Sequence, residues 1–478
     1  MAGSRRCWPV TALLLGVCFY IVLFTKLSIP FNSNQASPAR FTSTSADGIN
    51  ITRCATALST ATPKVLIGWA HSSDLLNPRP SSGLTLQEAQ QICTDNCGNL
   101  VWALAALRLL DPDTTKVVHI PPPFTTTEPI SALLFPEANL LLNISKYDIL
   151  TSVASYTKYL SSIVSSIDVP VMLIGIGTQV HFSDAGITRT AGGDAEADNA
   201  DLDKLASQVS LHPEQQHFMQ QIDSTGGFTT VRGDFTAAVL TANKLQSSYP
   251  LGCPSLFLNH NMQLGAVLRQ KWDALLAARS TSLRVAVNLP NIGGDKPFPV
   301  ELIQLVTERL LKAFPNSVVI MQTPGDEHEL TGMHERHGLF LQPSRVRFYY
   351  DVDSWVEGLK SCCDLVFGFR IHCTMTGVAA EVPGVLLAPD LRMKELAEAM
   401  RIPSVDLFDM KTTETSVGKL DMETFNLFDF LESVDAYKGF DERRQEVAQV
   451  YAREFERLGV PLHPGVVAIA DGVSGAHT

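Results

Sequence analysis

The stretch from Asp364 to Pro403 leaves a chain like this little choice of architecture. Leu365-Val366-Phe367-Gly368 is β-prone and too short for a helix, so it reads as a strand buried on both faces. Residues 373–381 are small and helix-compatible, Val382-Pro383 breaks the run, and Gly384–Ala388 supplies a second buried strand. A strand, a crossover helix and a second strand make a parallel pair, and parallel sheets belong to α/β folds. At the carboxyl end of the first strand sit Arg370 and His372. Ligands of open α/β sheets bind at that end, where helix N-termini turn their amides toward anions. A guanidinium fork suits a carboxylate or phosphate, and a nearby imidazole can carry a proton. Asp364 and Asp390 are the acids whose structural ion pairs would otherwise account for the arginine.

The chain has 478 residues, room for two substantial domains, and an apolar content of 45%, which fits a globular protein. Its net charge of −12 argues against general nucleic-acid binding, which needs clustered Lys and Arg, so any anion site must be local. Outside the N-terminal apolar segment lie Cys54, Cys93, Cys97, Cys253, Cys362, Cys363 and Cys373. A bridge involving Cys54, Cys93 or Cys97 fits a secretory lumen, and buried thiols are the alternative. Cys93 and Cys97 lack a second close pair, and His328, His334 and His337 lack HExxH spacing, so no metal site is expected.

Arg5 and Arg6 precede an apolar run from Cys7 to Thr25, long enough to span a bilayer and closed by Lys26. A signal anchor with the short tail 1–6 in the cytosol and the remainder lumenal is expected, with a cleaved signal peptide as the alternative. Residues 28–62, rich in Ser, Thr, Ala and Asn, read as a stem. Asn50-Ile51-Thr52 and Asn143-Ile144-Ser145 are glycosylation acceptors in a lumenal protein.

Further strands are expected at Val65–Gly68, Val117–Ile120, Val171–Ile174 and Phe228–Val231. The third runs into Gly175-Ile176-Gly177, read as a tight strand-end turn because the third glycine of a dinucleotide fingerprint is missing. His181 follows, at the strand's carboxyl end, where it either faces a ligand or is merely solvated. Residues 183–213 are polar and read as an insertion. Arg232-Gly233-Asp234 invites an adhesion reading, but the triplet overlaps a strand end. A second alternation of strands and helices begins at Leu283–Val287 and continues through Pro299–Ala313, Ser317–Gln322, Val346–Tyr350 and Ser354–Lys360. Residues 425–458 read as charged helix that packs back across both domains.

The order Arg370-x-His372, small-residue helix, Val-Pro, strand, Asp390 and Lys394 resembles the C-terminal signature of polysaccharide pyruvyl transferases. Three further pieces agree: Val231-Arg232 with Thr236 beyond it, Gly252-Cys253-Pro254, and Asn96-x-Gly98, where Asn99 replaces the family's acid. The resemblance covers about residues 64–405. It implies two Rossmann-like domains of the glycosyltransferase B type, at 64–265 and 283–410, followed by a helical segment at 411–478. The implied activity moves the enolpyruvyl group of phosphoenolpyruvate onto sugar hydroxyls of a glycan or polysaccharide, with terminal galactose as a candidate acceptor, forming a pyruvate ketal. Arg232, Arg370 and Lys394 are the implied donor-binding residues, with His372, then His181, for acid/base work and no cofactor or metal. The implied location is the Golgi membrane, single-pass type II, with the catalytic part lumenal. Two other readings keep the fold: a lumenal glycosyltransferase using a nucleotide sugar, with Glu381 as the nearby carboxylate for ribose, and a non-catalytic glycan-binding protein.

Overall fold

The structure, a computed structural model, describes residues 64–67, 93, 96–118, 130–136, 140–142, 150–179, 203–245, 248–290, 300–323, 325–338, 341–406 and 425–472. The expected anchor, stem and both glycosylation triplets lie outside the described residues, as do His181, Cys54 and most of the insertion. No helix among the described residues is long and apolar enough to cross a membrane.

Two six-stranded sheets, each parallel throughout, organise the described residues. The first is built from β1 (Lys64–Ile67), β2 (Lys116–Val118), β3 (Ala132–Phe135), β5 (Val171–Ile176), β7 (Phe228–Val231) and β8 (Tyr249–Pro250), in the order β2-β1-β3-β5-β7-β8. The short strands β4 (Leu141–Leu142) and β6 (Thr178–Gln179) pair beside it. Every residue of β3, β5 and β7 is buried, the sign of strands covered on both faces. Pro250 lies in the edge strand, where its missing N–H breaks no ladder.

The second sheet comprises β9 (Val285–Asn288), β10 (Val318–Met321), β11 (Val346–Phe348), β12 (Leu365–Gly368), β13 (Gly384–Ala388) and β14 (Ser404–Asp406), in the order β11-β10-β9-β12-β13-β14. The strand order reverses between β9 and β12, the doubly wound pattern of a nucleotide-binding sheet, and that reversal opens a crevice at the strands' carboxyl ends. The expected α/β class with parallel sheets is what the chain adopts.

The helices that matter for the crevice follow its strands. Helix α1 (Gly98–Leu107) starts at its rim, and α2 (Leu150–Ser166) and α3 (Pro213–Ser224) pack beside one another in the first half. Helix α4 (Asp234–Ala242) follows β7, and α5 (Leu264–Ala278) carries the chain toward the second sheet. There α6 (Val300–Ala313), α7 (Gly325–His337), α8 (Val352–Cys362), α9 (Ile371–Ala379) and α10 (Leu391–Met400) succeed one another. The chain closes with α11 (Leu427–Glu432), α12 (Phe440–Leu458) and α13 (Pro464–Asp471).

Helix α12 returns to the first half, as its sequence led one to expect. Tyr451 and Phe455 pack on Phe228, Tyr249 Oη donates to Glu454 at 2.8 Å, and Arg457 donates to the carbonyls of Gly226 and Gly227. Arg444 is fully buried and donates to the carbonyls of Leu256, Asn259 and Asn261, in the segment that joins the halves. Leu110 bridges to Leu462, so the end of the chain is stitched to the turn after α1.

Candidate functional site

Trp102 of α1 is the centre around which the candidate residues gather. Its indole Nε1 donates to the Ile174 carbonyl at 3.2 Å, which fixes the ring against β5. Room for the ring comes from Gly175, where φ is +76° and an added Cβ would lie 2.3 Å from Trp102 Cζ2. Pairing of β5 with β7 shifts register between Leu173 and Ile176, and Thr230 Oγ1 accepts from the Gly175 amide at 2.7 Å. Such irregularities re-aim side chains near a strand end. At Gly177 an added Cβ would lie 2.2 Å from Arg232 Cδ, so the second glycine makes room for that arginine. The Gly-x-Gly turn serves side-chain packing at this strand end.

Arg232 follows β7, is 4% exposed, and lies with its guanidinium carbon 5.5 Å from the Trp102 ring centroid. This burial is incompatible with presenting Arg232-Gly233-Asp234 to an adhesion partner. Desolvation and the Arg392 charge depress the Arg232 pKa to about 10, while Glu395 and Asp390 pull the other way. His372 meets the same indole edge-on, with centroids 5.7 Å apart and an interplanar angle of 86°. It lies in the first turn of α9, and its covered Nε2 has no hydrogen-bond partner. Burial first, then the charges of Arg232 and Arg370, push its pKa down to about 3, so the imidazole is neutral at ordinary pH.

Arg370 is the N-cap residue of α9 and spans the point where strand order reverses: its Nε donates to the Leu289 carbonyl at 2.6 Å. Its charge is met by Asp326, with Thr323 Oγ1 alongside. The acids near it in sequence are engaged elsewhere. Asp364 pairs with Arg284 at 2.5 Å, and Asp390 caps α10 through the Met393 amide while pairing with Arg392. Asp326, fully buried, also accepts from the amides of Gln322 and Thr323 and so ties down the loop after β10. Desolvation lowers the pKa of Arg370, and Asp326 opposes that fall.

The N-terminus of α1 completes the wall. Asn96 Oδ1 accepts from the Gly98 amide at 3.0 Å and from Gln322 Nε2 at 2.8 Å, and the Cys97 amide donates to the Gln322 carbonyl. A disulfide joins Cys93 to Cys97 across this turn, and among the described residues Cys253, Cys362, Cys363 and Cys373 are free thiols. An added Cβ at Gly98 would lie 2.3 Å from Gln322 Nε2 and 2.7 Å from His372 Nδ1, so only glycine lets the two halves approach here. Beside His372 Nε2, the buried oxygens Asn288 Oδ1 and Gln322 Oε1, also at the second sheet's strand ends, have no partner. Buried polar atoms without partners call for an explanation, and a bound ligand is one.

The structure thus brings Arg232, Arg370 and His372 together. Lys394, on α10, pairs with Glu398 at 3.7 Å, and the charges felt by His372 are those of the two arginines. Trp102, Gln322, Asp326 and Glu395 join the site without having been singled out in the sequence. Glu395 Oε1 accepts from the Thr236 amide at 2.6 Å and Oε2 from Thr236 Oγ1 at 3.1 Å, linking the second half to the start of α4. Glu381 lies at the opposite end of α9 from His372 and is held by Asn261 and Lys271. No group of His, Cys, Asp and Glu among the described residues has the makings of a metal site. A depression of about 280 Å³ between α5 and residues 431–438 is lined by none of these residues.

The fold and site define an α/β protein in which two parallel sheets bring the buried Arg232 and Arg370 together with His372 at their strand ends. No protein-family model matches the chain, and no curated protein matches it. Among solved structures it is similar to a putative UDP-N-acetylglucosamine 2-epimerase from Listeria monocytogenes, 11% identical, covering 83% of this chain and 98% of that one, with a TM-score of 0.35. It is also similar to the wall teichoic acid polymerase TagF, 11% identical over 76% of this chain and 78% of that one, with a TM-score of 0.27. A third is MnaA of S. aureus, solved with UDP, 11% identical over 71% and 83% of the two chains, also at 0.27. Scores this low carry no argument about activity.

Proposed function

We propose that the chain is a transferase that takes an anionic donor into the crevice between its two sheets, and that the donor is phosphoenolpyruvate, whose enolpyruvyl group passes to sugar hydroxyls as a ketal. The observation that carries this reading is the convergence of Arg232 from the first half with Arg370 and His372 from the second around Trp102. Two fixed cations suit a donor bearing both a carboxylate and a phosphate. Asp326 meets the charge of Arg370, which also holds the strand ends in place through the Leu289 carbonyl, and Arg232 lies in the field of Glu395 and Asp390, so each arginine is fixed before a donor arrives.

The neutral state of His372 shapes the chemistry. A neutral imidazole accepts a proton before it can donate one. His372 would therefore take the proton of the attacking hydroxyl as that oxygen bonds to the central donor carbon, then pass it to the methylene carbon. As a second hydroxyl closes the ketal, the phosphate leaves with the C–O bond pair and takes that hydroxyl's proton, departing as hydrogen phosphate. The partnerless acceptors Asn288 Oδ1 and Gln322 Oε1 suit the hydroxyls of a sugar, since phosphoenolpyruvate at neutral pH offers no donors to them.

A second reading, glycosyl transfer from a nucleotide sugar, is supported by α9 starting where strand order reverses, the usual seat of a diphosphate. The position of Glu381 at the far end of α9 counts against its expected ribose contact. Incubating the full chain with a galactoside and labelled phosphoenolpyruvate or labelled nucleotide sugars separates the two. Label in an acid-labile ketal with phosphate released supports the first, a new glycosidic bond replaces it with the second, and transfer from neither donor removes both.

A further inference from the structure

Glu395 joins the two halves in an unusual way. Its side chain comes from α10 in the second half and ends on the first turn of α4 in the first, accepting from the amide and hydroxyl of Thr236. Glu395 is 5% exposed, and Gly233 leaves the space for it: an added Cβ there would lie 2.5 Å from Glu395 Cγ. Separating the halves would return this carboxyl to water, and closing them removes it.

We propose that Glu395 is a proton-linked clasp: the crevice closes with uptake of a proton by this carboxyl, so mild acid holds the halves together and alkaline conditions release them. The balance of groups around it sets the sign. Arg232 at the end of β7 and the Thr236 hydrogen bonds favour the charged form, while Asp234 in the first turn of α4 disfavours it. At the start of its own helix Asp390 pairs with Arg392, both acting on Arg232, and one turn along Lys394 pairs with Glu398. Desolvation outweighs the favourable contacts and pushes the buried carboxyl up to about 7. In the open protein it would titrate as an ordinary carboxyl, about 4.3. A group whose pKa is higher in the closed form contributes its stabilisation fully below the open value and loses it as pH rises through the closed one. The contrast lies between about pH 5 and pH 8. The clasp needs no donor, so it stands or falls apart from the proposed reaction.

Hydrogen exchange of the Thr236 amide in the full-length chain without substrate, corrected for the intrinsic pH dependence of exchange, is the test. Protection should fall about tenfold or more between roughly pH 5.5 and roughly pH 8. In Glu395→Gln, which keeps an oxygen acceptor of the same shape, protection should stay high at both. Thr236→Val, which removes the hydroxyl partner from the other half, should lower protection at both while keeping the pH dependence, and remains readable should the Gln variant not fold. Absence of pH dependence in the unaltered protein, its persistence in Glu395→Gln, or its loss in Thr236→Val overturns the proposal.

Discussion

Replacing Arg232 with Ala removes the buried cation that faces Trp102 and feels the Glu395 carboxylate. Losing a charge-assisted hydrogen bond to an anion costs about 1.5 to 3 kcal/mol. Under the proposed reaction the Michaelis constant for phosphoenolpyruvate should therefore rise about tenfold or more. An unaltered constant in a normally folded variant would remove Arg232 from the donor site. His372→Gln should lower turnover by about 10² to 10⁴ with a much smaller effect on donor binding. Because His372 is neutral down to about 3, kcat/KM of Glu395→Gln, which lacks the other titration near neutral pH, should show no fall through the usual histidine range on acidification. A titration near pH 6.5 abolished by His372→Gln would show that the free enzyme holds a protonated imidazole instead. These residues were legible because Arg, His and Gly stand at strand ends, where chemistry is read. The counterion of Arg370 was not, since the parallel sheet sets the loop after β10 beside α9 and so delivers Asp326, whereas Asp364 and Asp390 are taken by Arg284 and Arg392.

Among the elements, α1 and α9 meet through a glycine. Gly98→Ala would place a methyl group inside contact distance of Gln322 and His372 while asking nothing unusual of the helical backbone. Crowding of this kind costs about 1 to 3 kcal/mol, so the variant should fold with a lowered unfolding midpoint and lose turnover out of proportion to that change. Full activity would mean that the approach of α1 to α9 is irrelevant to the reaction. Strands β5, β7, β12 and β13 were readable from their short buried runs, whereas β3 was not: Ala132–Phe135 lies just before the apolar Leu140–Leu142, and one apolar run near another does not declare its period. Trp102 was hidden for a related reason. An aromatic residue in an apolar helix reads as core, and only the structure reveals that its ring is shared with Arg232 and His372, with Gly175 and Gly177 at the end of β5 leaving the room.

At the scale of the whole molecule, the two halves are held by the Glu395 contact at the crevice and by α12 behind it. Arg444 satisfies three carbonyls of the joining segment, and its removal leaves them buried without donors. Arg444→Ala should destabilise the protein by about 3 to 5 kcal/mol, read as a shift in the denaturant midpoint, and a change below about 1 kcal/mol would show that water replaces the guanidinium. The stitching of residues 451–463 onto Phe228, Gly226 and the turn after α1 also has a meaning in time. A ribosome delivers the first sheet long before it delivers α12, so Phe228 waits for Tyr451 and Phe455 until that helix has been made. A chain stopped before Asn426 would stay in that unfinished condition, and a chaperone that attends the growing polypeptide would have to hold it until α12 emerges.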